Sequence, residues 1–115
     1  MPAIDYDALE SIYGEADATG TWLLELIQTF LTHTKEKFLH LNQLMSEGNL
    51  ESINKLGHLL KSSSAYMGAK RLQQLCSDLE KAKNLEEASI LIPQIHSEYD
   101  VCAKELETYL AKRAS

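Results

Sequence analysis

Apolar residues in this chain return in steps of three and four, and no stretch alternates polar with apolar residues over six positions. That rhythm follows the 3.6-residue turn of an α-helix and excludes the two-residue repeat of a half-buried strand. The longest run is Leu23, Ile27, Phe30, Thr34, Phe38, Leu41 and Met45, whose steps of 4, 3, 4, 4, 3 and 4 draw one face of a long helix. Gly48-Asn49 breaks it. A helix is predicted from Leu50 to Met67, with Ile53, Leu56, Gly57, Leu60 and Ser64 inward, and Gly68 interrupts it. Another is predicted from Ala69 to Lys83, with Leu72, Leu75, Cys76 and Leu79 inward, and Asn84 is placed to stop it and cap the next. The last run is Leu85, Ala88, Ile92, Ile95, Tyr99, Cys102, Leu106 and Tyr109, within which Pro93 should kink the helix or restart it. A short helix is predicted over Asp5–Tyr13, with Leu9, Ile12 and Tyr13 inward, Gly14 closing it and Thr19 or Thr21 capping the long helix that follows.

Amphipathic helices joined by loops of a few residues favour an all-α fold, an antiparallel four-helix bundle with a short additional N-terminal helix. The 115 residues suit a single domain over 1–115, and 44% hydrophobic residues are enough to fill one core. Cys76 and Cys102 fall in the apolar stripes and read as reduced core thiols, although the sequence alone leaves one disulfide open. Met1-Pro2-Ala3-Ile4-Asp5 has neither the basic nor the apolar region of a signal peptide, and no apolar stretch is long enough to span a bilayer. A soluble, cytoplasmic protein is expected, and the tail Ala111–Ser115 is expected to fray.

The net charge of −6 disfavours nucleic acid as a partner. Its distribution is more informative. Between Ser52 and Ser77 there is no Asp or Glu, and the window holds Lys55, Lys61, Lys70 and Arg71. The window contributes +4 to the total of −6, so the remainder carries −10. One basic stretch in an acidic chain points to an anion or an acidic partner.

His58 lies inside that window. It is two residues from both Leu56 and Leu60, about 200° of helical rotation from each, so it faces solvent. Its neighbours one turn away are Asn54, Lys55, Lys61 and Ser62, with Ala65 on the same face. Apart from the lysines these side chains are short, which leaves the imidazole accessible, and Lys61 is placed to neutralise an anion on the ring. His33, His40 and His96 carry no such setting, and no carboxylate or cysteine completes a metal site around them. Ser62-Ser63-Ser64 reads as small packing residues with hydroxyls bonded back to helix carbonyls. There is no glycine-rich phosphate loop and no nucleophile elbow.

Leu56-Gly57-His58-Leu59-Leu60-Lys61-Ser62-Ser63-Ser64, then Gly68-Ala69, Leu72, Leu75-Cys76 and Leu79-Glu80, resemble the histidine-containing phosphotransfer (HPt) domain over nearly the whole chain. The resemblance implies a phosphorelay intermediate that takes a phosphoryl group from a receiver-domain aspartate onto Nε2 of His58 and passes it to a response regulator. It implies that Lys61 stabilises the phosphoryl group and that Glu80 hydrogen-bonds the other ring nitrogen. It also implies no cofactor on this chain, a divalent metal on the partner receiver, and a carrier rather than an enzyme. Ser62 stands where the family most often has glycine, and serine is still small enough to keep the approach open. Docking is expected on the faces around His58, through Asn54, Lys55, Ser62, Ala65, Tyr66 and Lys70. The partners would be receiver domains of hybrid histidine kinases and response regulators, with no nucleic acid or membrane involved and the chain a monomer. Two other readings are an unphosphorylated receiver- or kinase-binding module, which the His58/Lys61 pair argues against, and a metal or cofactor bundle, for which the apolar stripes lack inward Glu and His.

Overall fold

The computed structural model describes residues 3–7, 9 and 21–114, and their side chains apart from those of 21–23, 113 and 114. Four helices follow one another: α1 (Thr21–Glu47), α2 (Leu50–Tyr66), α3 (Lys70–Glu80) and α4 (Leu85–Ala114). Among the described residues there is no strand. Each helix packs on the next, α4 closes back on α1, and α2 and α3 form the most intimate pair. At about 1.5 Å per residue, the 30 residues of α4 set the long axis of the molecule, which measures 46 Å.

The buried faces of α2 (Ile53, Leu56, Gly57, Leu60, Ser64) and α3 (Leu72, Leu75, Cys76, Leu79) are those the periodicity predicts. On α4, Ala88, Ile92, Ile95, Tyr99, Cys102 and Leu106 are buried, and Leu85 and Tyr109 pack at the margin. The stripe of α1 departs from the reading at one point. Leu44 is buried and Met45 lies partly covered beside it, three and four residues after Leu41 and so both bordering its core face. Tyr99 joins the two long helices: its hydroxyl donates to the Leu31 carbonyl at 2.8 Å and its ring meets Phe38 edge-on at 4.7 Å. Cys76 and Cys102 are free, and burial pushes both thiols up to about 12, so they stay protonated and unreactive.

Two short connections are shaped by glycine. Gly48 and Gly68 have φ of +68° and +69°, where a Cβ would crowd the backbone. At the first, Gly48 N–H donates to Met45 O and Asn49 N–H to Leu44 O; at the second, Gly68 donates to Ala65 O and Ala69 to Ser64 O. Each pair is a Schellman closure that satisfies helix carbonyls otherwise left open. Asn49 then caps α2 through Ser52 N–H, and Asn84 caps α4 through Glu87 N–H.

One expectation is corrected and another narrowed. The helix predicted to reach Lys83 ends at Glu80, because the Asn54 amide takes the carbonyls of Leu79 and Ala82 at 3.0 and 3.1 Å and draws that turn out of the helical ladder. At Pro93, where a kink or a restart is expected, α4 does not restart but continues through the proline. The proline is on the exposed face, where the carbonyl it frees can be hydrated. The N-terminal segment is helical at Tyr6, Asp7 and Leu9, with Leu9 buried. It is tied down by Asp5 N–H to Gly68 O and by the Glu105 carboxylate, which accepts from Ala3 N–H, Ile4 N–H and the Tyr6 hydroxyl. Ile12, Tyr13, Gly14 and the Thr19 cap lie outside the described residues, as do the side chains of Thr21 and Leu23.

A Cβ at Gly48 would meet only Leu85 Cδ1 at an ordinary 3.6 Å, so Gly48→Ala tests backbone strain alone. It is expected to lower stability by about 1 kcal/mol, read as a shifted urea midpoint with an unchanged slope.

Candidate functional site

The site lies at a close approach of α2 and α3. A Cβ on Gly57 would stand 2.8 Å from Glu80 N, 3.1 Å from Cys76 O and 3.2 Å from Glu80 Cα, all of them backbone atoms. Glycine at this position lets the last turn of α3 lie directly against α2. Residue 58 then faces outward beside that contact, and the His58 side chain is 59% exposed.

Glu80, the last residue of α3, extends its carboxylate between two side chains of α2. Oε2 lies 2.5 Å from His58 Nδ1, and Oε1 accepts from Lys61 Nζ at 2.7 Å. The hydrogen bond from Lys61, and after it the one with His58, hold the Glu80 carboxyl below its ordinary value of 4.5. It is therefore an anion at neutral pH, able only to accept, so Nδ1 carries the ring proton. Nε2 is left with its lone pair on an exposed imidazole. The contact anticipated for Glu80 is present. Lys61 is held by Glu80, a pairing the sequence reading did not include.

The basic window looks different once folded. Lys55 pairs with Glu51 at 3.4 Å, Lys61 with Glu80 at 2.7 Å, Lys70 with Asp5 at 3.0 Å and Arg71 with Glu98 at 3.5 Å. A stretch free of acids in sequence is thus supplied with carboxylates by its surroundings. The exposed pairs are weak and exchangeable, so the lysines remain available to a competing anion.

Ser62, Ala65, Tyr66, Lys55 and Lys70 are exposed as expected. Asn54 is not a free surface group: its amide donates to Leu79 O in the last turn of α3 and to Ala82 O just beyond it, carbonyls that need a partner there. Ser62, Ser63 and Ser64 bond back to the carbonyls of His58, Leu59 and Leu60. Leu59 escaped the sequence reading. It is 52% exposed and joins Asn54, Lys55, His58 and Glu80 around a shallow depression. Gly57 was placed on the inner face without a role; a glycine inside a helix, less favourable than alanine by about 1 kcal/mol, was the available signal. His33 and His40 are exposed, and His96 packs on Phe38 with ring centroids 4.9 Å apart. Among the described residues, no three His, Cys, Asp or Glu converge to hold a metal ion, and no helix is long and apolar enough to cross a membrane.

The family model of the Hpt domain matches residues 25–112. The phosphorelay intermediate protein YPD1 of Saccharomyces cerevisiae is 32% identical over 83 residues, covering 71% of this chain and 48% of that protein. YPD1 of Candida albicans is 29% identical over 55 residues, 48% of this chain and 30% of that protein. The chain thus spans less than half the length of these curated relatives. In fold it is similar to the crystal structure of histidine-containing phosphotransfer protein B (HptB) from Pseudomonas aeruginosa PAO1, with a TM-score of 0.86, 24% identity and 96% of each chain covered.

The depressed carboxyl of Glu80 sets a pH dependence. A group whose folded value lies below its unfolded one stabilises the fold above the unfolded value and ceases to do so as pH falls through the folded one. Glu80→Gln is therefore expected to melt below the wild type at neutral pH, with the gap closing as pH drops beneath 4.5. Thermal melts followed by circular dichroism from neutral pH into strong acid check this.

Proposed function

The chain belongs to the Hpt domain family, and from that premise we propose that it is a phosphorelay intermediate that accepts a phosphoryl group on His58 from a receiver-domain aspartate and hands it to a second receiver. One observation carries the reading: an exposed imidazole whose Nδ1 is engaged by Glu80, so that Nε2 is free as a nucleophile. The phosphorelay intermediates among its relatives support it.

The transfer is a displacement at phosphorus. The Nε2 lone pair attacks in line as the bond from phosphorus to the aspartyl oxygen breaks, and the carboxylate leaves with the electron pair. The ring gains positive charge as the N–P bond forms, and the Glu80 anion beside Nδ1–H offsets it. Lys61, one turn along, supplies a cation to the phosphoryl oxygens in exchange for Glu80 Oε1. A receiver that carries its own divalent metal provides most of the remaining charge stabilisation. This chain contributes nucleophile and positioning, which is the work of a carrier without a nucleotide site, acting as a cytoplasmic monomer. Receivers dock over Leu59, Ser62, Ala65 and Tyr66, exposed side chains on the two turns of α2 that follow His58, two of them large and apolar. Encounters of this kind are small and transient.

Incubation with a phosphorylated receiver domain is expected to label the chain with acid-labile, alkali-stable phosphate, and His58→Gln to take none. Label absent from both proteins would leave only a docking module. Lys61→Ala is expected to keep its helical spectrum and to transfer about ten- to a hundredfold more slowly, the equivalent of one charge-assisted hydrogen bond. An unchanged rate removes Lys61 from the mechanism. Ser62→Trp is expected to weaken receiver binding with helicity intact, measured by titration calorimetry; unaltered affinity would show that the small collar does not matter.

A further inference from the structure

We propose that Gly57 and Asn54 are the positioning residues of the site, clamping the last turn of α3 so that one carboxylate, Glu80, spans both His58 and Lys61. The inference rests on the phosphoacceptor reading of His58 and extends it to residues that touch neither phosphorus nor ring.

The two act from neighbouring turns of α2 by opposite means. Gly57 acts through an absent side chain. The atoms a Cβ would strike are Glu80 N, Cys76 O and Glu80 Cα, at 2.8, 3.1 and 3.2 Å. None is the tip of a flexible side chain, so a larger residue must displace the backbone of Glu80 itself. Asn54 acts through its amide, which donates to Leu79 O and Ala82 O, on either side of Glu80 in sequence. One residue permits the approach and the other fastens it. Between them they place the side chain that, among the described residues, engages both His58 Nδ1 and Lys61 Nζ, at 2.5 and 2.7 Å. A carboxylate that serves two partners must stand within hydrogen-bond reach of both, so a displaced Glu80 backbone disturbs the His58 and Lys61 contacts together.

The tautomer of His58 is the direct readout. In alkaline buffer, imidazole 15N shifts of the wild type are expected to report one form, with the proton on Nδ1. Gly57→Ala and Asn54→Ala are expected to report a mixture with the Nε2–H form. Transfer from a phosphorylated receiver is expected to fall at least tenfold in Gly57→Ala, toward the roughly hundredfold loss that a displacement of about 1 Å can cause, and by less in Asn54→Ala. Repeating each substitution in a Glu80→Ala background separates positioning from general damage. If they act through Glu80, neither slows transfer further once Glu80 is gone. An unchanged tautomer, or a full additional loss in the Glu80→Ala background, overturns the proposal. Should Gly57→Ala fail to fold, Asn54→Ala decides by the same measurements, since it removes hydrogen bonds without inserting atoms. The tautomer is read without phosphorylation. A wild type that takes no phosphate would therefore defeat the phosphorelay reading while leaving the clamp to be judged on its own.

Discussion

A single carboxylate, shared between a ring nitrogen and an ammonium group, gives the site its chemical character. Without Glu80, His58 would be an ordinary surface imidazole free to choose either tautomer, and Lys61 a solvated cation one turn away. With Glu80, the proton is confined to Nδ1 and the cation is held on the same carboxylate that engages the ring. The bundle serves this arrangement. Its core fixes α2 and α3 as a rigid pair, and a close backbone approach between them falls beside the histidine.

Most of the architecture could be read from periodicity because an α-helix makes residues three and four apart share a fate. Ile53, Leu56, Leu60 and Ser64, and Leu72, Leu75, Cys76 and Leu79, are inside because nothing non-local competes with their stripe. The misreadings occur where a long-range bond intervenes. The end of α3 is set by the Asn54 amide, 25 and 28 residues from the carbonyls it binds, and no local propensity encodes such a partner. Pro93 is tolerated because the carbonyl it strands faces water, a fact about the fold and not about proline.

The site was legible to a similar degree. His58 and its outward direction follow from two leucines and the helical angle. Glu80 was assigned on resemblance alone, and the contact stands. What could not be read was ownership of charge. Lys70 finds Asp5 and Arg71 finds Glu98 across the fold, so a count of basic residues along a window misjudges the potential above it. Gly57 illustrates the same limit: its significance lies in two backbone atoms of a residue 23 positions away, which a single sequence does not display.

The occupied Nδ1 has a kinetic consequence. If the ring relays phosphate as proposed, its one usable nitrogen makes it a one-seat carrier, and donor and recipient would have to present their aspartates to the same atom. They exclude each other, so a relay built on this ring runs as a ping-pong shuttle in which the first partner must depart before the second arrives. Throughput is then governed by how quickly each complex comes apart, and a partner that grips too firmly acts as an inhibitor of the very pathway it feeds.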